Sequence, residues 1–205
     1  LYSNSISAAV GDFNNDGHAD VVSIHAGGQF VVRTYNDKIS AFADNQTHTI
    51  NMNNTATPAT LSYLTAGAFG SNNSTFSVVV TDLFSHSTPI GWVNGSGITE
   101  SPHHFDGVGS QPITGDIDGD GDNDVVTALN AHSWGMAWYE QVQEDGAITF
   151  KQHIVMTDKP VGNPYGVCFA QPHAIGWVDM EGDGIKDIVT GKCDFAVNGR
   201  DAGAN

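Results

Sequence analysis

The chain has 205 residues, 40% of them hydrophobic, which is enough for one sizeable core and too many for a disordered chain. Its 23 acidic and 7 basic residues give a formal net charge of −16. This charge argues against nucleic acid and anionic membrane surfaces as partners. No apolar run approaches the roughly 18 residues of a membrane-spanning helix. Residues 1–11 lack the basic start and the apolar stretch of a signal peptide. A mature chain from which a signal peptide has been removed would look the same.

A nine-residue acidic motif occurs three times, starting at Asp12, Asp116 and Asp179. Each copy has an acid or Asn at position three, Asp at position five, Gly at position six and Asp at position nine. Two β-branched residues follow. Carboxylates this close repel one another unless a cation lies among them. Oxygen ligands around a glycine suit a hard cation, and calcium fits best. A solvated acidic turn is the alternative for one copy, but three copies make chance a poor explanation.

The loops are not EF-hands, because their twelfth residues are Ser23, Thr127 and Thr190 instead of a bidentate Glu. The β-branched pair after each motif favours a strand. Each motif is therefore predicted to be a calcium loop between two strands, which gives about three calcium ions. Positions one, three, five and nine would bind through side chains and position seven through its carbonyl. The predicted metal ligands are Asp12, Asn14, Asp16, His18, Asp20, Asp116, Asp118, Asp120, Asp122, Asp124, Asp179, Glu181, Asp183, Ile185 and Asp187. Ile117 and Met180, which lie within loops, are expected to pack into the core.

A degenerate copy of the motif falls between the first two. Residues 67–80 align with Gly11 onward, but the acids are replaced, so a hairpin without a metal site is predicted. The replacing residues are Ala68, Gly70, Asn72 and Phe76. The chain thus divides into four units, at about 1–55, 56–105, 106–160 and 161–205, with a period typical of propeller blades or solenoid turns.

Each unit is predicted to contain several short strands, and no segment has sustained helical periodicity. The first unit has candidates at 6–11, 21–25, 30–35 and 47–52, and the second at 61–69, 76–83 and 90–93. The third has 113–116, 124–129, 135–140 and 148–155, and the fourth has 174–179 and 187–192. This pattern predicts an all-β fold, and four strands in a unit of this length are typical of a β-propeller.

The loops with their following Val-Val or Ile-Val resemble the FG-GAP/VCBS repeats of integrin-α-type β-propellers, and the resemblance covers about three of the four units well and the second weakly. The similar pieces are 115–121, 138–140, 171–174 and 190–192. The resemblance implies calcium loops on one rim of a propeller, each joining the first two strands of a blade. Glu181 stands where the family usually has Asp or Asn, so its longer side chain is expected to weaken that site.

The number of units falls short of the family's usual seven or so blades. The fourth unit lacks its outer strands. A fragment and a ring closed by a second chain both remain open as explanations. Exposed strand edges need cover, so self-association through blade edges is one expected partnership.

Cys168 and Cys193 flank the open end of the fourth hairpin, so a disulfide between them is predicted, with two thiols as the alternative. The sequons indicate a secreted or cell-surface glycoprotein, and weak calcium sites fill where calcium is near millimolar. The predicted glycosylation sites are Asn45, Asn53, Asn72, Asn73 and Asn94.

Histidines and tryptophans are the other candidates for chemistry. His103, His132 and His173 would lie near one side of the ring, where they would serve acid–base chemistry or remain solvated loop residues. Trp134 is a candidate for stacking on a sugar ring. Trp138 and Trp177 lie in strand patterns and are expected in the core.

The function that these features favour is an extracellular, calcium-stabilised β-propeller that binds glycans or protein partners. A polysaccharide lyase or hydrolase on the same scaffold is the first alternative. A structural subunit of an extracellular assembly is the second.

Overall fold

The computed structural model describes residues 5–25, 29–49, 62–69, 75–82, 87–94, 97–106, 111–130, 133–157, 161–163 and 166–192. These residues contain fourteen β-strands and no helix, so the predicted all-β class is confirmed. The strands are β1 (Ser5–Gly11), β2 (Asp20–His25), β3 (Gln29–Asn36), β4 (Ala41–Thr49), β5 (Ser62–Phe69), β6 (Thr75–Asp82), β7 (Ser87–Asn94), β8 (Gly97–Asp106), β9 (Ile113–Gly115), β10 (Asp124–Ala128), β11 (Met136–Glu144), β12 (Ala147–Met156), β13 (Pro172–Val178) and β14 (Asp187–Lys192). No apolar helix of membrane-spanning length was found in the described ranges.

The strands form four antiparallel sheets in chain order. Three sheets have four strands, in the orders β1-β2-β3-β4, β5-β6-β7-β8 and β9-β10-β11-β12, and the fourth pairs β13 with β14. Within each sheet, every strand lies beside its neighbour in sequence, as in a meander. Short hairpin connections make this the simplest way to pair consecutive strands.

Two outer strands differ from the sequence-based expectation. β4 begins at Ala41, after a turn over residues 37–40, and not at residue 47. The sequence pattern does not predict β8, which contains His103. Both strands lie at sheet edges. Edge strands bury less of their surface and tolerate Pro, so they lack the hydrophobic alternation that marks inner strands.

The first strands of consecutive sheets lie beside one another, β1 against β5, β5 against β9 and β9 against β13. Hydrogen bonds join two of these pairs. The Leu64 N–H donates to Ser7 Oγ over 3.1 Å, and Thr114 Oγ1 donates to the Ala66 carbonyl over 2.8 Å. The sheets therefore stack face to face along the chain.

Among the described side chains, the core lies between the sheets and forms three clusters. The first joins Leu64 of the second sheet to the first sheet, and the second joins Phe69 of the second sheet to the third sheet. The third places Ile175 against Val126 and Met156, with Ile117 and Trp138 packed beside them. Ile117 and Trp138 therefore lie where the sequence predicted them.

Candidate metal centre

Three hairpins hold the acidic motifs, as predicted. The motifs lie between β1 and β2, between β9 and β10, and between β13 and β14, so strands flank them on both sides. The ninth residue of each motif begins the second strand, and in the third unit Asp124 pairs with Gly115. The loops are thus the tips of two-stranded hairpins and not EF-hands.

The first Asp of each motif organises its loop. Asp116 accepts hydrogen bonds from the N–H groups of Gly119, at 2.7 Å, and Gly121, at 3.2 Å. Asp179 accepts the equivalent bonds from Gly182 and Gly184. Asp12 accepts from the N–H groups of Asp16 and Gly17. The glycine at position six has a left-handed backbone in all three loops, with φ of 99° at Gly121. A side chain there would be strained, which explains the glycine in the motif.

Carboxylates converge in the third unit. Asp116, Asp118 and Asp120 each place one oxygen so that all three lie within 4.8 Å of one another. Asp116 is half-buried and the other two are exposed. Three negative oxygens this close favour a divalent cation with oxygen ligands. Among the residues that the structure describes, no other set of His, Cys, Asp or Glu side chains meets this spacing.

The ninth Asp of the third unit also forms a hydrogen bond outside its own loop. Asp124 is fully buried, where it accepts hydrogen bonds from the N–H of Ile117 at 3.0 Å and from the N–H of Gln141 at 2.8 Å. Burial raises the pKa of Asp124 to about 7, against the lowering effect of these two bonds. The carboxylate thus connects the loop to the third strand of its sheet.

Asp20 makes the same connection in the first unit. It is fully buried and accepts hydrogen bonds from the N–H of Phe13 at 3.0 Å and of Tyr35 at 2.9 Å. Burial is also the main cause that raises the pKa of Asp20. The sequence motif predicted only a ligand at this position, because the bond to the third strand depends on a register that local sequence does not reveal.

The remaining predicted ligands lie in the loops with different surroundings. Burial raises the pKa of Asp122, and the facing Gln141 side chain opposes this shift. In the first loop, the Asn14 side chain donates to Asp16 over 2.9 Å, so these two predicted ligands already contact each other. The predicted ligands Asp12 and Asn14 are half-buried, whereas Asp16, His18, Glu181, Asp183 and Ile185 are exposed.

Met180 is 65% exposed, so its predicted place in the core was wrong. Its counterpart Ile117 is covered by residues of the fourth sheet, including Ile188. Among the described residues, no further sheet follows the fourth one to cover Met180 in the same way. The burial of Ile117 therefore comes from the neighbouring sheet.

The other predicted residues are distributed as follows. Asn45 lies in β4, Asn94 in β7, His103 in β8 and His173 in β13. Cys168 Sγ lies 3.4 Å from the Thr157 carbonyl oxygen. His132, Cys193, Asn53, Asn72 and Asn73 lie outside the described residues, so the disulfide and the glycosylation sites remain predictions.

Trp134 and His173 lie at the sheet ends opposite the acidic loops. Trp134 bridges to Ala170, and the next residue, Gln171, donates its N–H to the Ser133 carbonyl over 2.7 Å. Gln171 is buried with φ of 63°, a strained conformation for a residue with a side chain. Local sequence does not predict the strain at Gln171, because backbone strain of this kind arises from the contact between two distant segments.

The architecture and the loops define an all-β repeat protein whose hairpin tips carry acidic motifs suited to a cation. Residues 116–190 match the family model of the FG-GAP-like repeat. The matched segment spans the acidic motifs of the third and fourth sheets. The resemblance seen in the sequence is confirmed there. A comparison with curated proteins found no match.

Proposed function

We propose that the chain is a calcium-stabilised β-propeller module of the FG-GAP type, secreted or at the cell surface, that binds glycans or extracellular proteins. The observation that supports calcium binding is the convergence of Asp116, Asp118 and Asp120, whose carboxylate oxygens lie within 4.8 Å of one another. The metal is structural in this proposal, because it offsets repulsion in a loop that joins two core strands.

Calcium suits this loop better than other common cations. Carboxylate oxygens and a backbone carbonyl are hard ligands, which disfavours zinc and copper. Calcium accepts six to eight oxygens in flexible geometry, whereas magnesium requires near-ideal octahedral geometry at shorter distances. A glycine-containing hairpin tip that offers three carboxylates matches the more permissive ion.

A propeller is supported by the way the sheets follow one another. The first strands β1, β5, β9 and β13 neighbour each other in chain order, and each sheet is built outward from its first strand. In a propeller, the first strands surround the axis and the outer strands form the rim. The stacking of the four sheets is what such an arrangement requires of consecutive blades.

Calorimetric titration of the full chain tests the metal site. We expect calcium to bind the wild type and magnesium to bind much more weakly. Asp118→Asn should lower calcium affinity at the third loop about tenfold or more, because one charged ligand is lost. Asp145→Asn is the matched control, since Asp145 lies in an exposed turn between β11 and β12. Equal heats with calcium for both variants would contradict the proposal.

In this proposal the ligand binds at the sheet ends opposite the acidic loops. Trp134 is half-buried there, so part of its ring is accessible for stacking on a sugar. A glycan array with the full chain tests this placement. Trp134→Ala should abolish binding of any recognised sugar and Trp134→Phe should keep part of it. Unchanged binding by Trp134→Ala would exclude this residue from the site.

A polysaccharide lyase or hydrolase is the second candidate, favoured by the strained Gln171 next to His173. Strained backbone of this kind clusters at active sites, and the His173 N–H contacts the Gln171 carbonyl at 2.9 Å. Incubation with acidic polysaccharides tests this candidate. A lyase would generate the absorbance of unsaturated products, and His173→Gln should remove it. No product with any polymer tested would leave binding as the function.

A further inference from the structure

The second sheet lacks the acids that the other three sheets carry between their first two strands. Residues 67–80, which align with the acidic motifs, contain neither Asp nor Glu, whereas residues 116–124 of the third unit contain five Asp residues. The connection between β5 and β6 therefore offers no carboxylate to a cation. The second sheet has to be held in the stack by other contacts.

The edge of β5 that faces away from β6 accepts two hydrogen bonds from the third unit. β5 pairs with β6 along one edge, so alternate residues direct their backbone groups away from β6. Ala66 and Ala68 are two such residues. The Thr114 hydroxyl donates to the Ala66 carbonyl over 2.8 Å, and the Asn123 side-chain amide donates to the Ala68 carbonyl over 2.6 Å. Thr114 precedes the third acidic loop and Asn123 lies within it, so the same hairpin holds β5 from both sides of the loop.

Asn123 occupies the eighth position of the acidic motif. The preceding residue, Asp122, donates its N–H to the Asp120 carboxylate over 3.0 Å. Asp120 is one of the three converging carboxylates, so an ion that fixes Asp120 also fixes the backbone that carries Asn123. The following residue, Asp124, is fully buried. The amide of Asn123 is therefore held between the acidic loop and the core.

The contact between Asn123 and Ala68 lies beside a packed part of the core. Phe69, which follows Ala68 in β5, is fully buried and packs against Val125 and Tyr139 of the third sheet. Ala68 itself is half-buried, so loss of the bond would leave its carbonyl without this donor where the two sheets meet. A change in the loop therefore reaches the packing between the second and third sheets.

The eighth position differs in the other two acidic loops. The first loop has Ala19, which carries no side-chain donor. The fourth unit has Lys186, whose Nζ lies 4.2 Å from the ring centroid of Trp177 in its own hairpin. The motif itself does not require an amide at this position, so Asn123 serves a role particular to the third unit.

We propose that Asn123 is a positioning residue that couples the third acidic loop to the second sheet. With the loop fixed by calcium, the Asn123 amide holds the Ala68 carbonyl, and β5 gains stability from a metal site in the next unit. The second sheet, whose own hairpin lacks acids, thereby shares the calcium of the third. This inference rests on the proposed calcium binding and adds the route by which the stabilisation spreads.

Hydrogen exchange of the full chain, measured by mass spectrometry with calcium and with chelator, tests the proposal. We expect calcium to slow exchange in peptide 116–128 and also in peptide 62–69. In Asn123→Ala, calcium should still slow exchange in 116–128, but its effect on 62–69 should fall about fivefold, a size typical of one lost hydrogen bond. Alanine fits this position, since the first loop carries Ala19 there.

Two control variants separate coupling from a general loss of packing. Lys186→Ala changes the same motif position in the fourth loop, and it should leave the calcium effect on 62–69 unchanged. Thr114→Val removes the other bond to β5, which lies outside the loop. It should therefore speed exchange in 62–69 by the same factor with and without calcium.

Three results would overturn the proposal. Slower exchange in 116–128 with no change in 62–69 of the wild type would leave calcium binding intact and remove the coupling. An equal calcium effect on 62–69 in the wild type and in Asn123→Ala would show that the stabilisation reaches β5 by another route. No effect of calcium on either peptide would overturn the coupling and the proposed calcium binding together.

Discussion

The indole of Trp177 lies directly over the α-carbon of Gly115. A Cβ built on Gly115 would overlap three atoms of the Trp177 ring, so only glycine fits at this point of β9. One unit earlier, a Cβ on Gly67 would lie 2.9 Å from Thr114 Cβ. Gly67 and Gly115 hold the same position before their loops, so a close approach between neighbouring sheets repeats along the chain.

Gly115→Ala should destabilise the protein by about 1–3 kcal/mol, because the new methyl group displaces a packed tryptophan. Denaturant unfolding measures this loss. Gly176→Ala is the matched control. Gly176 is also a strand glycine, but a Cβ there would meet only the Val189 carbonyl oxygen, at 3.9 Å.

The double variant Gly115→Ala with Trp177→Ala checks the cause of this loss. If the two residues interact through overlap, the cost of Gly115→Ala should shrink in the Trp177→Ala background. An equal cost in both backgrounds would place the effect elsewhere than at this contact.

Removal of calcium should lower the melting temperature. An ion that binds only the folded chain stabilises it by about 2.7 kcal/mol at a concentration of one hundred times its dissociation constant. Thermal unfolding with calcium and with chelator measures the shift. Asp120→Asn should reduce the shift, because its carboxylate is one of the three converging groups. A melting temperature that chelator leaves unchanged in the wild type would contradict a structural role for the metal.

Asp20→Ala should destabilise the first sheet even without metal. Its removal leaves the N–H groups of Phe13 and Tyr35 without their acceptor, at a cost of about 1–3 kcal/mol for a buried group. Unfolding in chelator isolates this effect from calcium. Asp37→Ala is the control, since Asp37 is exposed in the turn before β4. Equal losses for the two variants would show that the buried hydrogen bonds contribute little.

Stability without calcium should fall as pH rises from about 4 to about 7. Burial raises the pKa of Asp124 from 3.8 to about 7, so the folded chain holds a proton in this range that the unfolded chain has released. The folded state then binds more protons than the unfolded state, and the free energy of unfolding decreases with pH. Asp20 shifts in the same direction.

Denaturant unfolding at several pH values in chelator measures this slope. Asp124→Asn should flatten it, because the amide does not titrate. Calcium should also flatten it, because a cation among the neighbouring carboxylates favours the charged form. Asp179, whose pKa is lowered mainly by the Gly184 N–H, contributes stability that is lost only at lower pH. A wild-type slope equal to that of Asp124→Asn would exclude Asp124 as its source.

The loops and inner strands were predictable because their signals are local. Acids at alternate positions around a glycine, followed by β-branched pairs, mark a hairpin wherever they occur, and the structure forms one at Asp12, Asp116 and Asp179. Outer strands such as β8 were missed, because an edge strand needs no hydrophobic alternation. The strain at Gln171 was also missed, since it comes from a bridge to a segment more than thirty residues earlier, near Trp134.

The sequence by itself determined the all-β class, the acidic hairpin tips and the glycine at position six, since each depends on charge, backbone conformation or side-chain period within a few residues. Tertiary structure alone decided that Asp20 and Asp124 are buried and bonded to third strands, that Trp177 covers Gly115, and that Ile117 is packed while Met180 is exposed. The physical reason is that the burial of a residue depends on the sheet packed against it as much as on the residue itself. A motif repeats along the chain, but the sheet packed beside it decides whether the same position faces a core or water.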